Sequence, residues 1–471
     1  MALQIPKLKQ QPILQKIQWI ADPVGYMENA AKNNPDLFAA EVIGFGGNLV
    51  FVNHPEAIKE LLSKDRQRFP ALGSENGILR PMVGDNSIFL ISGDRHKARR
   101  KLLLPPFHGE RMDTYGKLIR DLTLSIFGRL SPGQTFTARN LTQDVSLQVI
   151  LEAVYGLNKG ERSQKLRQLM TQIADSFASP LTSSLLFFSW LQQDWGAWSP
   201  WGQFVRRQKK LDEAIYREIA SRRANPDLKS QDILSLLMSA KDEAGQPLSD
   251  LELRDELMSL MLAGHETTAT AMAWAMYWIH HLPEVKNKLL TEIASLGDNP
   301  DPMAIAKLPY LDAVCQETLR IYPVAMLTFP RVALQPQELF GYKVESGEVL
   351  VGCIYLTHHR EDIYTEPEKF KPERFLEHQC LGEHSLAPVG DAGSHRFSPY
   401  ELLTFGGGSR RCIGEALAQF ELKIAIATVL SHYNLVLASN TPEKPARRGV
   451  TLAPATGVRM IFKGTKSNIM S

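Results

Sequence analysis

The segment Phe405 to Gly414, FGGGSRRCIG, places a cysteine between a glycine turn and the run IGEALAQFELKIAIATVL, whose apolar spacing is that of a helix. Cys412 therefore stands at or just before a helix N-terminus, where peptide amides and the positive end of the dipole favour a thiolate. Gly406, Gly407 and Gly408 allow a tight turn with N–H groups aimed at the sulfur, and Arg410 and Arg411 add positive potential. A thiolate held in this way suits metal ligation or nucleophilic attack; the alternative is a buried, inert thiol. A second reactive group, Ala263-Gly264-His265-Glu266-Thr267-Thr268, lies inside LMSLMLAGHETTATAMAWAM, a run apolar almost all round that reads as a buried helix. An acid and a hydroxyl there require a reason. Proton transfer is one; a plain charged side chain beside a threonine bonded back to its own helix is the other.

The elements that must position these groups surround them. Ser249-Asp250-Leu251-Glu252 has the capping-box pattern and Pro283 marks the far end, which predicts one helix of about 30 residues, roughly 45 Å long. Ala263, Thr267 and Ala271 recur four apart, so one helix face carries little bulk and a flat group can approach it. Gly264 costs up to about 1 kcal/mol relative to Ala in a helix interior, which points to a local opening. Residues 41–57, EVIGFGGNLVFVNHPEA, read as a hairpin, and from Pro55 to about residue 305 helical periodicity dominates, broken at Pro105-Pro106, Ser131-Pro132-Gly133 and Asn225-Pro226. Strand-like runs return near 325–356 and 447–463. The expected fold is mainly α with a smaller β-rich lobe, and with no linker or internal repeat in sight a single domain over residues 1–471 is expected.

With 53 Lys plus Arg against 51 Asp plus Glu, the net charge of +2 argues against global attraction to nucleic acid or membrane. Cys315, Cys353, Cys380 and Cys412 form no CxxC pair, which speaks against zinc or thioredoxin chemistry and fits a reducing, cytoplasmic setting. The N-terminal MALQIPKLKQQPILQKIQWIADP is broken by Pro6, Lys7, Lys9, Pro12 and Lys16, so neither a transmembrane segment nor a signal peptide is expected; its amphipathic Ile13 to Ile20 stretch either packs as a terminal helix or grazes a membrane. Residues 176–202 hold four of the seven tryptophans and almost no charge, as a lid or a buried helix pair would. His265-Glu266 opens like a zincin H-E-x-x-H, but Ala269 takes the second ligand position. Gly44 to Leu49 lacks the last glycine of a dinucleotide fingerprint, and Gly128 to Gln134 lacks the P-loop lysine.

The spacing Phe405-x-x-Gly408-x-Arg410-x-Cys412-x-Gly414 matches at every fixed position the haem-binding signature of the cytochrome P450 superfamily, and the chain resembles its soluble bacterial-type haem-thiolate monooxygenases. Glu317-Thr318-Leu319-Arg320, Pro372-Glu373-Arg374-Phe375 and the Ala263 to Thr268 segment resemble three further motifs of that family. The resemblance implies the cytochrome P450 fold (α+β), with haem b between the long helix and the Cys412 loop and Cys412 as the iron ligand. It implies Phe405, Gly414, Ala263 and Thr267 against the macrocycle, and His96, Arg100, Arg331 and Arg410 at its propionates. Glu266 and Thr267 would relay protons to bound O2, and Glu317, Arg320 and Arg374 would form a buried structural network.

In the basic run Arg95 to Lys101, helix geometry turns His96, Arg100, Leu103 and Phe107 inward and leaves Lys97, Arg99 and Lys101 outside. These outward groups, with Arg411, either steer an acidic redox partner or form a solvated surface. Substrate contacts implied by the resemblance are Phe89, Ala263, Ala325, Met326, Thr328 and Leu452, which suits a lipophile such as a fatty acid, terpenoid or steroid-like molecule. Arg80 is either a carboxylate anchor or a loop arginine. With no flavin or iron–sulfur segment after the cysteine loop, electrons are expected from a separate ferredoxin-type donor with its reductase, serving a monomer. A haem-thiolate isomerase or peroxygenase and a non-enzymatic haem sensor are the alternatives, and the intact Glu266-Thr267 pair speaks for the monooxygenase.

Overall fold

The computed structural model describes residues 2–466 apart from 45–47, 108–110, 157–159, 178–179, 225–231, 242–244 and 377–396. Cys380, the Asn225-Pro226 break and the turn of the expected first hairpin lie outside the described residues. The helices that matter below are α1 (Pro12–Ala21), α2 (Gly93–Leu103), α3 (Arg111–Phe127), α4 (Ala138–Tyr155), α5 (Pro180–Phe187), α6 (Pro200–Ala224), α7 (Asp250–His281), α8 (Pro309–Ile321) and α9 (Glu415–His432). The strands are β1 (Leu37–Ala40), β2 (Leu49–Val52), β3 (Arg331–Val332), β4 (Val349–Gly352), β5 (Pro445–Arg448) and β6 (Thr451–Pro454).

Helix α7 is the axis of the core. Its start is the predicted capping box: the Glu252 amide donates to Ser249 Oγ (3.2 Å) and the Ser249 amide to Glu252 Oε2 (3.1 Å). It ends where Leu282 leaves helical geometry ahead of Pro283. Over 32 residues it runs about 48 Å, buried on nearly every side.

Its closest neighbour is α4, and the contact gives Gly264 a different role from the expected local opening. A Cβ at Gly264 would stand 2.6 Å from Ile150 Cδ1, so the missing side chain admits the Ile150 side chain of α4 rather than opening a gap. The Gly264 carbonyl accepts from Thr268 Oγ1 (3.0 Å) and from Ser146 Oγ of α4 (3.3 Å). Ser146 in turn hydrogen-bonds Glu421 of α9, whose carboxyl is fully buried and pushed up to about 8 by that burial.

The four-stranded sheet runs β1-β2-β4-β3. Strands β1 and β2 are antiparallel (Leu37↔Val52), β2 and β4 parallel (Leu49↔Val349), and β4 and β3 antiparallel (Leu350↔Arg331). The first hairpin strand thus lies at 37–40, N-terminal to the expected start at residue 41. Gly44 explains the shift, because its φ of +117° cannot extend a strand. The pairing of β2 with β4 ties the N-terminal segment to a strand some 300 residues later and sets Arg331 on a fully buried strand.

Two stretches that the sequence left open between alternatives are narrowed by the structure. The 176–202 stretch is no buried helix pair: α5 is followed by a segment that exposes Trp190, Trp195 and Trp198, while Trp201 is buried. Helix α1 packs through Trp19 and Gln15 but leaves Ile13, Leu14 and Ile17 exposed, so its packing is one-sided.

The α4–α7–α9 junction yields a pH prediction. The folded-state value of Glu421 is raised from 4.5 to about 8, so its contribution is fully present below about pH 4.5 and is lost as pH rises through about 8. Glu421→Gln mimics the neutral acid. Relative to wild type, it is expected to gain stability with rising pH, reaching on the order of a few kcal/mol by pH 9, read from urea unfolding at pH 6 and pH 9.

Candidate functional site

The cysteine loop is shaped by glycine. Gly406 and Gly408 sit at φ +69° and +67°, and a Cβ at Gly408 would meet Asp65 Oδ2 at 2.5 Å. The turn closes through Gly406 N to Leu403 O (2.7 Å) and Cys412 N to Phe405 O (3.0 Å), and α9 begins three residues past the cysteine. The Gly414 amide bonds toward the sulfur, and Arg100 and Arg411 favour its anion. Desolvation opposes that anion and pushes the thiol up to about 11. A metal ion reverses that balance, since a coordinating thiol is deprotonated outright. Cys315 and Cys353 are buried in packed core, whereas Cys412 lies on a cavity of about 490 Å³ shared with Arg100, Met112, Phe420 and Lys423.

Beside this loop, basic groups converge with few anions. Arg410 donates to the carbonyls of Ile88 (2.6 Å), Ile91 (2.6 Å) and Ala71 (3.0 Å). Arg331 donates to Phe329 O (2.7 Å), Gly407 O (3.2 Å) and Asp65 (3.2 Å). Both keep a buried Nε without a partner. Burial and then the Arg331 charge lower Arg410 to about 10. Burial, Arg410 and Arg100 hold His96 down at about 4, so its imidazole is neutral at physiological pH. The expected four cations are therefore three guanidiniums and a neutral ring, crowded enough to welcome an anion. Asp65, which no sequence motif pointed to, is the counter-charge of Arg331 and also faces Arg410 and His96.

Residues 86–91 join this loop to α7. Besides the Ile88 and Ile91 contacts to Arg410, Ser87 Oγ meets Ser259 Oγ (2.6 Å) and the Asn86 amide donates to Asp255 (2.9 Å). Arg99 corrects the expected outward set: it is buried, bound to Glu256 (2.6 Å) and Glu252 (3.0 Å) of α7. Lys97 and Lys101 are exposed, and Arg411 is paired with Glu415 (2.7 Å).

Ala263 is solvent-accessible in the middle of an otherwise buried helix, and the Thr267 hydroxyl one turn on donates to the Ala263 carbonyl (2.5 Å). Glu266 points elsewhere, pairing with Arg139 of α4 and with Arg448 Nε of β5 (3.0 Å). Burial opposes its charge, but Arg139 and Arg448 hold the carboxyl below its usual range. Arg448 also reaches Asp175 (3.1 Å), which is exposed. Buried atoms without partners cluster here: Arg139 Nε, Gln143 Nε2, Glu266 Oε2 and His265 Nε2.

Among the candidate substrate contacts, Phe89 stacks on Phe329 (5.6 Å) and Ala325 is exposed. Met326 and Leu452 are packed into the core cluster around Trp19 and Phe51, and Thr328 Oγ1 accepts from the Gly352 amide (2.9 Å). The Arg80 guanidinium pairs with Asp85 on the surface (2.7 Å).

Glu317, Arg320 and Arg374 meet as one buried network. Arg320 clasps Glu317 through Nε (2.7 Å) and Nη2 (2.9 Å), and Arg374 Nε adds a third contact (3.1 Å). Arg320 Nη1 donates to the His358 carbonyl (2.7 Å). The fully buried His358 ring lies 3.1 Å from the Arg320 carbonyl through Nδ1 and accepts the Leu403 amide at Nε2 (2.8 Å). Burial, with Arg320 nearby, keeps that ring neutral. Leu403 is the residue whose carbonyl closes the cysteine turn, so the network reaches the Cys412 loop through a histidine that no motif marked.

A sequence model described as Cytochrome P450 matches residues 9–460. The chain belongs to the cytochrome P450 family. It is 32% identical over 431 residues to a protein of Mycobacterium tuberculosis designated cytochrome P450 135B1, covering 91% of this chain and 85% of that one. To cytochrome P450 137 of the same species it is 31% identical, covering 88% and 81%. Among solved structures, retinoic acid bound cyanobacterial CYP120A1 superposes with a TM-score of 0.83 at 21% identity, covering 99% of this P450 and all of that chain. The P450DA heme domain gives 0.81 at 20%, covering 99% of each; these two likenesses establish the fold. This P450 is thus an oxygenase oxidoreductase that uses haem. The residues present suit that group: the unpartnered Arg331 and Arg410 Nε atoms await anionic oxygens, and the accessible Ala263 leaves room for a flat ring.

Glu317→Gln is expected to cost at least about 3 kcal/mol, because it leaves Arg320 and Arg374 buried without their anion. Urea unfolding of the holoenzyme, with haem content measured alongside, checks it.

Proposed function

We propose that this P450 inserts one oxygen atom from O2 into a lipophilic substrate of the fatty acid, terpenoid or steroid-like kind, with electrons from a separate ferredoxin-type protein and its reductase. The observation that carries the reading is the accessibility of Ala263: a small residue at the centre of a core helix is reached by solvent only where a cavity adjoins it. Phe89, stacked on Phe329, and Ala325 offer an apolar lining. The structural relative named as retinoic acid bound carries an apolar isoprenoid acid, in keeping with this class.

Cys412 would hold the haem iron, with Phe405 and Gly414 flanking it, and Arg100, Arg331, Arg410 and the neutral His96 would receive the propionates through charge-assisted hydrogen bonds. Bound there, thiolate-ligated haem supplies the activation of dioxygen. The chain supplies protons and their timing. The Thr267 hydroxyl donates its own proton to the Ala263 carbonyl, so its oxygen is left to accept and orient a hydrogen-bond donor on the accessible side of α7. Glu266, which Arg139 and Arg448 keep ionised, would be the acceptor for protons that reach it from the side of the exposed Asp175. Lys97 and Lys101, exposed on the helix whose Arg100 shares a cavity with Cys412, would give an acidic electron donor a landing charge.

Cys412→Ser is expected to abolish the red-shifted Soret band that the reduced, carbon monoxide-bound enzyme owes to thiolate; a surviving band would overturn the ligand assignment. Thr267→Ala is expected to leave substrate binding intact while electrons drain to peroxide. The ratio of product formed to electrons consumed would then fall about tenfold or more, and an unchanged ratio would remove Thr267 from the relay.

A further inference from the structure

Burying a guanidinium is costly unless an anion accompanies it. Among the described residues Arg99, Arg139, Arg254, Arg320, Arg331 and Arg374 are buried, and each is paired with a carboxylate. Two buried arginines are not. Arg410 and Arg447 donate only to main-chain carbonyls, and each keeps a buried Nε without a partner. Arg410 stands at the edge that would receive the haem carboxylates. Arg447 stands elsewhere, and neither the haem nor the proton relay uses its charge.

Arg447 lies on β5, where successive side chains point to opposite faces. Arg448 turns to Glu266 of α7, so Arg447 turns away from it, into the space between α1 and α5. There the guanidinium sits 4.6 Å from the Trp19 ring and 5.2 Å from the Phe187 ring, and it donates to the Trp19 carbonyl (2.7 Å). Aromatic faces and one carbonyl replace part of its lost hydration but bring no net negative charge. Burial lowers Arg447 to about 9 with no carboxylate near enough to offset it, and at neutral pH it remains a cation.

The surroundings of this charge are apolar and lead to the substrate side. In the antiparallel register Arg447 faces Leu452 of β6. The Leu452 amide donates to the Val324 carbonyl (2.9 Å), next to the accessible Ala325. On the other side, a Cβ at Gly44 would stand 3.0 Å from the Phe187 ring and 3.5 Å from Ile78. A poorly screened cation walled by hydrocarbon selects a ligand with an acid at one end and an apolar body. A carboxylate matches the planar fork of a guanidinium. Arg80, the arginine that the sequence offered for this role, is committed to Asp85 on the surface. We propose that Arg447 is a specificity-determining residue that binds the carboxylate of a lipophilic acid, whose acid end displaces the Phe187 ring from the guanidinium. This rests on the lipophilic-substrate reading and narrows it to carboxylic acids. With the acid end held on β5, oxygen enters carbon at the Ala263 end of the substrate, remote from the carboxylate.

The test is titration of the haem-loaded full chain at neutral pH with two sets of probes, reading the Soret shift on binding. One set is hexadecanoic acid, hexadecanol and methyl hexadecanoate; the other is retinoic acid and retinol. The wild type is expected to bind at least one acid about tenfold or more tightly than its neutral analogues, because those leave the buried donors unanswered. Arg447→Gln is expected to abolish that preference, and Arg447→Lys, which keeps the charge, to retain most of it. The wild type and the lysine variant are read independently, so the proposal is tested even where the glutamine variant loses haem. Equal affinity of the wild type for acid and neutral analogue in both sets would overturn the anchor and leave the lipophilic reading standing. A glutamine variant that keeps the acid preference, or that weakens acid and alcohol alike, assigns Arg447 to packing and overturns the anchor too. Binding of no probe in either set overturns the lipophilic reading itself, and the anchor with it.

Discussion

Glu317 has no solvent exposure, yet it accepts four hydrogen bonds: two from Arg320, one from Arg374 and one from the Lys371 amide. Buried charge is tolerated only when its lone pairs and protons are all answered, and here they are. What depends on it is position. Arg320 spends its remaining donors on the carbonyls of His358 and Pro367, and His358 carries the restraint on to the Leu403 amide. Leu403 then fixes the glycine turn that aims Cys412. A helix, the residues after β4 and the cysteine loop, far apart in sequence, are thereby held in one geometry by charges that cannot leave without stranding each other.

The opposite wall of the site is fixed by packing rather than charge. Gly264 lets Ile150 close on α7, and the side chains that would fill the next turn, Ala263 and Thr267, are small. The result is a helix dense on its α4 side and open on another. Between the two walls, residues 86–91 are strung from Arg410 to Asp255 and Ser259, so the segment bearing Phe89 takes its position from both.

Much of this was legible because it is local. The capping box at Ser249, the glycine-cysteine loop and the Glu317–Arg320 pair each lie within a few turns of chain, where spacing alone determines who can meet. The groups that were not legible are partners brought in by tertiary contact: Asp65 for Arg331, His358 for Leu403, and Arg139 and Arg448 for Glu266. Arg99 shows the limit most plainly. Helical periodicity assigned it to the outside, because periodicity knows only one buried face; α7 approaches α2 with Glu252 and Glu256 and buries it as an ion pair. The tryptophan-rich stretch shows the converse limit: its apolar composition allowed a lid or a buried helix pair, and among the described residues Trp190, Trp195 and Trp198 stay exposed, which ends the second reading.

The electrostatics of the site make sense only with a particular kind of guest. Without one, Arg331 and Arg410 keep buried N–H groups unanswered, their mutual repulsion weakens one of them, and His96 cannot take a proton. Two residues past Arg410, desolvation raises the Cys412 thiol above its usual range. A dianionic edge would answer the guanidiniums and relieve His96, while a cation at the sulfur would take the thiol's proton out of play. Both demands are met by one rigid molecule that carries carboxylates on its rim and a metal cation at its centre, which is the description of haem. The basic edge and the cysteine loop are thus complementary, group by group, to the cofactor its family binds.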